Sequence, residues 1–237
     1  MVRKWKQMDL ASARVPCGRG GWRPGAGRPR VAGSCSHGAR AEFAAREPQH
    51  VTMRIAVGVP SLRREHVARV VRAVIRAGGH REDFRVVQFN LLANHLHLLV
   101  EAAGREALAR GMQGLAVRLA RRINAEFDRR GRLFAQRYHA RTLRTPKQVR
   151  AVLRYILLNA RHHAQEVGER LARGWVDPYS SAIWFDGWRA EYADAPWLRT
   201  LAREGCPVAR ARTWLAAGGW RRGGGLIDVD EVPGAAR

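Results

Sequence analysis

The chain has 237 residues, with 43 Lys and Arg against 20 Asp and Glu, and a formal net charge of +23. A chain of this length can bury the core of one sizeable domain or two small ones. Its hydrophobic content of 46% is typical of globular proteins. The longest apolar stretch, FNLLANHLHLLV, is too short and too polar to span a bilayer, and the basic start is not followed by a signal-like apolar block. We therefore exclude a membrane protein.

The excess positive charge, most of it arginine, indicates a polyanionic partner. Arginine suits bidentate phosphate contacts and stacking on bases, so nucleic acid is the leading partner. Acidic lipid is second, but the sequence contains no basic amphipathic helix with a clean apolar face. Cys17, Cys35 and Cys206 are too far apart for a zinc ribbon or a disulfide framework. We expect a cytoplasmic, nucleoid-associated protein.

Residues 1–48 are predicted to form a flexible basic arm. The stretch CGRGGWRPGAGRPRVAGS is rich in Gly, Pro and Arg and buries too little apolar surface to offset its chain entropy. Arg28 and Arg30 belong to an extended Gly-Arg-Pro-Arg tract of the kind that enters an A·T-rich minor groove. A solubilising tail and an organelle transit peptide are the alternative interpretations of the arm.

From His50 onwards the periodicity predicts regular elements. Strands are predicted over 50–57, 84–94, 95–102 and 132–143, and helices over 62–78, 105–130 and 146–165. Thr145 is the expected N-cap of the last helix. This order predicts an α+β domain at 49–168 of ferredoxin-like type, an antiparallel sheet with helices on one face. Residues 169–237 are predicted to be a tryptophan-rich C-terminal extension packed on the domain, its tryptophans acting as packing anchors.

His95 and His97 form the first candidate site, a possible metal-binding pair. Side chains alternate along a strand, so both imidazoles project from one face while Leu96 projects from the other. Two imidazoles on one face can share a divalent metal ion. His162 and His163 are a rival pair, but adjacent helical residues diverge by about 100° and cannot readily chelate one ion.

Tyr155 and Asn159 form the second candidate. At a spacing of four residues they lie on one face of the predicted helix, which sets a phenolic oxygen beside an amide oxygen able to ligate a metal. The alternative interpretations are a core tyrosine and a local hydrogen-bonding asparagine. Combined with the histidine pair and the basic surface, these residues indicate phosphodiester transfer, in which a metal polarises a non-bridging oxygen and the tyrosine attacks phosphorus. The sequence contains no GxSxG, P-loop or HExxH motif that would favour another chemistry.

Three motifs carry a resemblance to a known family. N-H-L-H-L-L-V at 94–100 resembles the HUH motif of the single-tyrosine transposases of insertion sequences, which act on single-stranded DNA. R-Y-H-A-R at 137–141 and R-Y-I-L-L-N at 154–159 are similar to that family's downstream strand and catalytic tyrosine helix. The asparagine four residues after the tyrosine most resembles the REP-associated tyrosine transposases.

The resemblance implies a metal-dependent tyrosine DNA transposase and nuclease with a ferredoxin-like domain. His95 and His97 would hold Mg²⁺ or Mn²⁺, with Asn159 as third ligand, and Tyr155 would attack the scissile phosphate of single-stranded DNA. A 5′-phosphotyrosine intermediate and a free 3′-hydroxyl would follow, and rejoining would need no ATP. The implied substrates are hairpins from palindromic repeats, and the implied assembly is a monomer or homodimer.

We expect DNA to contact basic residues of the arm and of the region that leads into the tyrosine helix. These residues are Arg28, Arg30, Arg137, His139, Arg141, Arg144 and Arg154. The alternative function is a non-catalytic hairpin DNA- or RNA-binding protein derived from a transposase, which needs the same positive field. The intact His-x-His and Tyr-x-x-x-Asn patterns favour the enzyme.

Overall fold

The structure, a computed structural model, describes residues 41–233. Arg28, Arg30 and most of the predicted arm therefore lie outside the described residues. The described part has four strands, β1 (Gln49–Arg54), β2 (Phe84–Leu91), β3 (His95–Ala102) and β4 (His139–Thr142). It has six α-helices, α1 (Glu65–Gly78), α2 (Arg105–Glu126), α3 (Pro146–Leu157), α4 (Asn159–Glu166), α5 (Pro196–Glu204) and α6 (Trp214–Ala217), and 3-10 turns at Ala182–Trp184 and Gly219–Gly223. Within these residues, every helix is too short or too polar to cross a membrane.

The four strands form one antiparallel sheet in the order β2-β3-β1-β4. The first and third strands lie side by side in the middle, and the second and fourth lie at the edges. This order, with α1 and α2 as the two connections, is the ferredoxin-like arrangement. The predicted α+β class with an antiparallel sheet is confirmed.

Helices cover both faces of the sheet, which corrects the expectation of helices on one face. Leu96, Leu98 and Val100 of β3 point into a core shared with α1 and α2. Leu99, which lies between them in sequence, points to the opposite face and packs against α3. The face towards α1 and α2 is apolar, and the opposite face also carries apolar residues, Val87 and Leu99, that require a covering layer.

The C-terminal residues supply much of the core on the α3 side of the sheet. Val176, Phe185, Trp220 and Ile227 are buried there together with the apolar side of α3. Trp220 is only 1% exposed, as expected of a packing anchor. The boundaries expected at 48 and 168 stay predictions.

Strand β4 is shorter than the predicted strand at 132–143. Ahead of it, Phe134 makes an isolated antiparallel bridge with Ile55, supported by a hydrogen bond from the Ala56 amide to the Leu133 carbonyl. Between this bridge and β4 the chain leaves the sheet, and Tyr138 packs against the core of α1 and α2. The alternation in this segment therefore reflects side-chain burial rather than continuous strand pairing.

The helix predicted over 146–165 is divided at Leu158 into α3 and α4. Its start matches the prediction, because Thr145 caps α3 and forms a reciprocal capping box with Gln148. At the other end, the Asn90 side-chain amide donates a 2.7 Å hydrogen bond to the Ile156 carbonyl. The final carbonyls of a helix have no intrahelical donors, so this bond supplies a partner in the last turn of α3.

Candidate active site

A row of polar side chains crosses the sheet beneath α3. The strand registers pair Asn90 with His97, His97 with Thr52, and Thr52 with His139. Directly opposed residues on neighbouring strands share a face, so one residue from each strand contributes to this row. The row lies on the face opposite α1 and α2.

His95 and His97 project together from this face, as predicted. Their ring centroids are 6.2 Å apart and their planes differ by 19°. His95 Nδ1 lies 2.7 Å from Asn94 Oδ1, so Nδ1 carries the proton and Nε2 keeps its lone pair. His97 Nδ1 lies 3.2 Å from the Thr52 hydroxyl. Hydrogen bonds at Nδ1 fix the orientation of a metal-binding imidazole and leave Nε2 for the ion.

Helix α3 brings Tyr155 onto the histidine pair. The tyrosine ring meets His97 edge to face, with centroids 5.1 Å apart and planes at 89°. The neighbouring side chains Val152 and Ile156 are buried and hold this side of α3 on the sheet. Within residues 41–233 the Tyr155 hydroxyl has no hydrogen-bond partner, so its oxygen is available to a substrate.

His50, which the sequence analysis missed, completes an aromatic cluster. Its ring stacks on His97 at 5.5 Å and meets Tyr155 at 5.9 Å. Its Nε2 atom is buried and has no hydrogen-bond partner in the described part of the chain. The alternation in β1 shows that His50 and Thr52 share a face, but only the pairing of β1 with β3 brings His50 to the site.

Burial keeps the two inner histidines neutral. Desolvation lowers the pKa of His97 to about 3, with smaller effects from His50, His95 and His163. Desolvation also lowers the pKa of His50 to about 4, with contributions from Arg141 and His139. A neutral imidazole is the form that binds a metal ion, so His97 is ready to act as a ligand at neutral pH.

Asn159 is the third predicted ligand, and its surroundings fit a metal-binding role. The residue is fully buried at the start of α4, and neither atom of its side-chain amide has a hydrogen-bond partner in the described residues. Burying an unpaired amide is costly, and an amide oxygen is a ligand that hard divalent cations accept. Residues 41–233 contain no group of three His, Cys, Asp or Glu side chains suited to a metal ion.

The rival histidine pair on α4 contacts a carboxylate of its own helix. His163 Nδ1 lies 2.7 Å from one carboxylate oxygen of Glu166, and His162 Nε2 lies 3.3 Å from the other. Both imidazoles are therefore turned towards the same carboxylate on their own helix.

Three of the predicted DNA-contacting residues are exposed on β4 or just after it, and two others in the described part of the chain lie elsewhere. His139 and Arg141 are exposed on β4 in register with Thr52 and His50, directly beside the site. Arg144 is also exposed and lies 3.5 Å from Glu47. Arg154 and Arg137 are placed differently.

Arg154, next to Tyr155 in sequence, pairs with Glu231 at 2.5 Å and donates to the Val232 carbonyl. The C-terminal segment therefore already holds this guanidinium. Arg137 lines a groove with Met112 and Gln113 of α2, on the other side of the sheet. The structure thus does not bring Arg137 to Tyr155.

Comparison with known proteins finds one family model and several solved structures similar to this chain. Residues 49–159 match the family model described as "Transposase IS200 like", a segment that begins with β1 and ends at Asn159. No curated protein matches the sequence. A solved structure described as the REP-associated tyrosine transposase bound to a REP hairpin is 13% identical, with 76% of this chain and 93% of that chain covered and a TM-score of 0.47. A crystal structure of a candidate transposase from Deinococcus radiodurans R1 is 16% identical, with 58% and 99% covered and a TM-score of 0.37. The segment from β1 to Asn159, just under half of the chain, is therefore similar to the IS200-like transposase family.

Proposed function

We propose that this protein is an IS200-like transposase that cleaves and rejoins single-stranded DNA through Tyr155, with a divalent metal ion held by His95, His97 and Asn159. The observation that carries the proposal is the packing of Tyr155 against His97, with ring centroids 5.1 Å apart. A candidate nucleophile on a helix thus lies beside a candidate metal-binding pair on a strand, the arrangement that phosphoryl transfer requires.

In the proposed cleavage step, the metal ion and Tyr155 have separate roles. Mg²⁺ or Mn²⁺, when bound, polarises a non-bridging oxygen of the scissile phosphate. The Tyr155 oxygen attacks phosphorus and forms a phosphotyrosine bond to the 5′ side of the break, while the bond from phosphorus to the 3′ oxygen breaks. The phenol loses its proton to solvent and the departing 3′ oxygen gains one, so protons balance.

Rejoining reverses these bonds. A 3′-hydroxyl, from the same strand or from another, attacks the phosphotyrosine and releases the Tyr155 phenol. Because one phosphodiester replaces another, the exchange needs no ATP. We expect the protein in the cytoplasm, associated with the nucleoid, because chromosomal DNA is its substrate.

The DNA that we propose is a hairpin from a palindromic repeat, with single-stranded flanks. His139 and Arg141 stand exposed on the edge strand β4 and can contact the phosphates on either side of the reacting one. Outward-facing side chains that contact phosphates beside the site hold the backbone in register and carry no base specificity. Both a monomer and a homodimer are compatible with this arrangement.

A cleavage assay tests the proposal. Labelled hairpin oligonucleotides are incubated with the protein and Mn²⁺ or Mg²⁺, and products are separated under denaturing conditions. We expect a metal-dependent protein–DNA adduct that Tyr155→Phe abolishes while hairpin binding stays within a few-fold. The matched control is Tyr192→Phe, which removes a phenol that donates to the Ile183 carbonyl in the C-terminal region. Binding without any adduct would favour the non-catalytic alternative.

A further inference from the structure

One tryptophan of the C-terminal region faces solvent. Trp214, the first residue of α6, is 56% exposed, whereas the next two residues, Leu215 and Ala216, are buried. The Thr213 side chain caps this short helix and fixes its first turn. A Cβ on Gly219 would lie 2.7 Å from atoms of the indole, so the absence of a side chain there lets the ring lie against the backbone. The indole is thus supported by the backbone on one side and presents more than half of its surface to solvent.

One arginine lies over this indole, and three more lie nearby in sequence without acidic partners in the described residues. The Arg222 guanidinium lies 5.4 Å from the centre of the Trp214 ring, and Arg221 lies 5.4 Å from that of Trp220. Both arginines are exposed, and neither forms an ion pair within residues 41–233. Arg210 and Arg212 on the preceding segment are likewise exposed and unpaired within that range. The patch therefore offers a net positive field with an aromatic face at its centre.

The patch lies on the same side of the sheet as Tyr155. Gly223, next to Arg222, packs so closely on the start of α3 that a Cβ there would lie 2.8 Å from the Lys147 Cα. Eight residues of helix separate Lys147 from Tyr155, which corresponds to about 12 Å along the axis. The start of α3, on which Gly223 packs, therefore lies within reach of a strand of a few nucleotides bound at Tyr155.

We propose that Trp214, Arg221 and Arg222, here called the tryptophan platform, bind single-stranded DNA that flanks the phosphodiester cleaved by Tyr155. An unpaired base stacks on the indole, and the guanidinium groups bind the adjoining phosphates. This assignment rests on the proposed function, which supplies single-stranded DNA as the substrate. Aromatic side chains beside a basic surface are how proteins hold single strands without reading their sequence.

The chemistry of the platform argues against other occupants. A protein partner would require a larger apolar surface than one indole, and the surrounding arginines would have to be desolvated. Duplex DNA stacks its bases internally and offers no free face to an indole. A single strand supplies both the free base and the negative charge.

The test compares binding of single- and double-stranded probes by fluorescence anisotropy. The probes are a labelled dT oligonucleotide of about 20 nucleotides and a duplex of the same length. Stacking on one aromatic side chain contributes enough that Trp214→Ala should weaken binding of the dT oligonucleotide at least about fivefold. Duplex binding should change less than about twofold, and Trp214→Phe should restore most of the affinity for the single strand.

Charge and stacking are separated by a matched control. Arg221→Gln with Arg222→Gln should weaken single-strand binding and make its salt dependence shallower by about two phosphate contacts. Arg121→Gln with Arg122→Gln removes the same charge from α2, on the other face of the sheet. This control should have a much smaller effect on single-strand affinity and on its salt dependence.

The outcomes distinguish the platform from the proposed function. Unchanged single-strand binding by Trp214→Ala, or equal losses for both probes, would overturn the platform even if Tyr155 still forms an adduct. A selective loss for the single strand would support it even if no adduct is found.

Discussion

The hydrogen bond from Asn90 to the last turn of α3 gives the sharpest mutational prediction. Asn90 is fully buried in β2, and its Nδ2 atom donates to the Ile156 carbonyl at 2.7 Å. Asn90→Ala removes this donor and leaves a buried carbonyl without its partner. The Oδ1 atom of Asn90 has no partner within the described residues, so the substitution loses a single hydrogen bond.

The expected loss of stability is about 2 kcal/mol, because leaving one buried carbonyl unpaired costs about 1–3 kcal/mol. For a domain of this size, that loss lowers Tm by about 4–8 °C. Since Ile156 follows Tyr155, the end of α3 that carries the nucleophile also loosens. A displacement of about 1 Å at a reacting group can slow a reaction by two orders of magnitude, and we expect adduct formation to slow at least about tenfold.

Thermal denaturation, hairpin binding and adduct formation together test this reasoning. Asn124→Ala is the control, because Asn124, near the end of α2, makes its bonds at the surface: Nδ2 donates to the Gly131 carbonyl at 2.8 Å and Oδ1 accepts from Arg129. The control should lower Tm by about 2 °C or less and leave the adduct rate unchanged. Hairpin affinity should stay within about twofold for both variants. An Asn90→Ala protein with wild-type adduct kinetics would refute the positioning of Tyr155 by this bond.

Three further predictions concern metal binding, stability and pH. His97→Ala should abolish the metal-dependent adduct yet leave hairpin affinity within a few-fold, as measured by gel and anisotropy assays; a persisting metal-dependent adduct would exclude His97 as a ligand. Glu101→Ala removes a buried carboxylate that pairs with Arg85 at 3.0 Å and accepts from the Thr213 amide and hydroxyl. In urea denaturation, Glu101→Ala should lower the free energy of unfolding by about 3–5 kcal/mol. The exposed Glu106→Ala should lower it by about 0.5 kcal/mol or less. Because the folded-state pKa of His50, about 4, lies below its ordinary value of 6.5, the unfolded chain binds the proton first and stability falls as pH drops from 6.5 towards 4. His50→Gln should remove about 3 kcal/mol of that fall in EDTA-treated protein, and an unchanged pH profile would contradict the buried, neutral His50.

The elements that the sequence predicts best are those specified by patterns among neighbouring residues. The bounds of β3 follow from the alternation in HLHLLVEA, and the start of α3 follows from Thr145 and Pro146. The placement of His95 and His97 on one face needs nothing beyond the period of a strand. Because these features depend on neighbouring residues alone, they can be predicted from a single sequence.

The features that were missed depend on distant parts of the chain. His50 reaches the site through the register between β1 and β3, which no local pattern specifies. The break at Leu158 coincides with the Asn90 bond to Ile156, a contact between residues 66 positions apart. The covering of both sheet faces did have a signal, because β2 carries apolar residues on successive positions at Val86 and Val87.

The central claim is that Tyr155 is the nucleophile, and mapping the covalent adduct tests it most directly. The chain contains 4 tyrosines, so protease digestion of the trapped protein–DNA complex and mass spectrometry of the nucleotide-bearing peptide identify the attached residue. We predict that the nucleotide is attached to Tyr155 through its 5′-phosphate, and that the adduct is absent when EDTA replaces the metal. Attachment to Tyr138, Tyr179 or Tyr192, or to a residue of another type, would contradict the account.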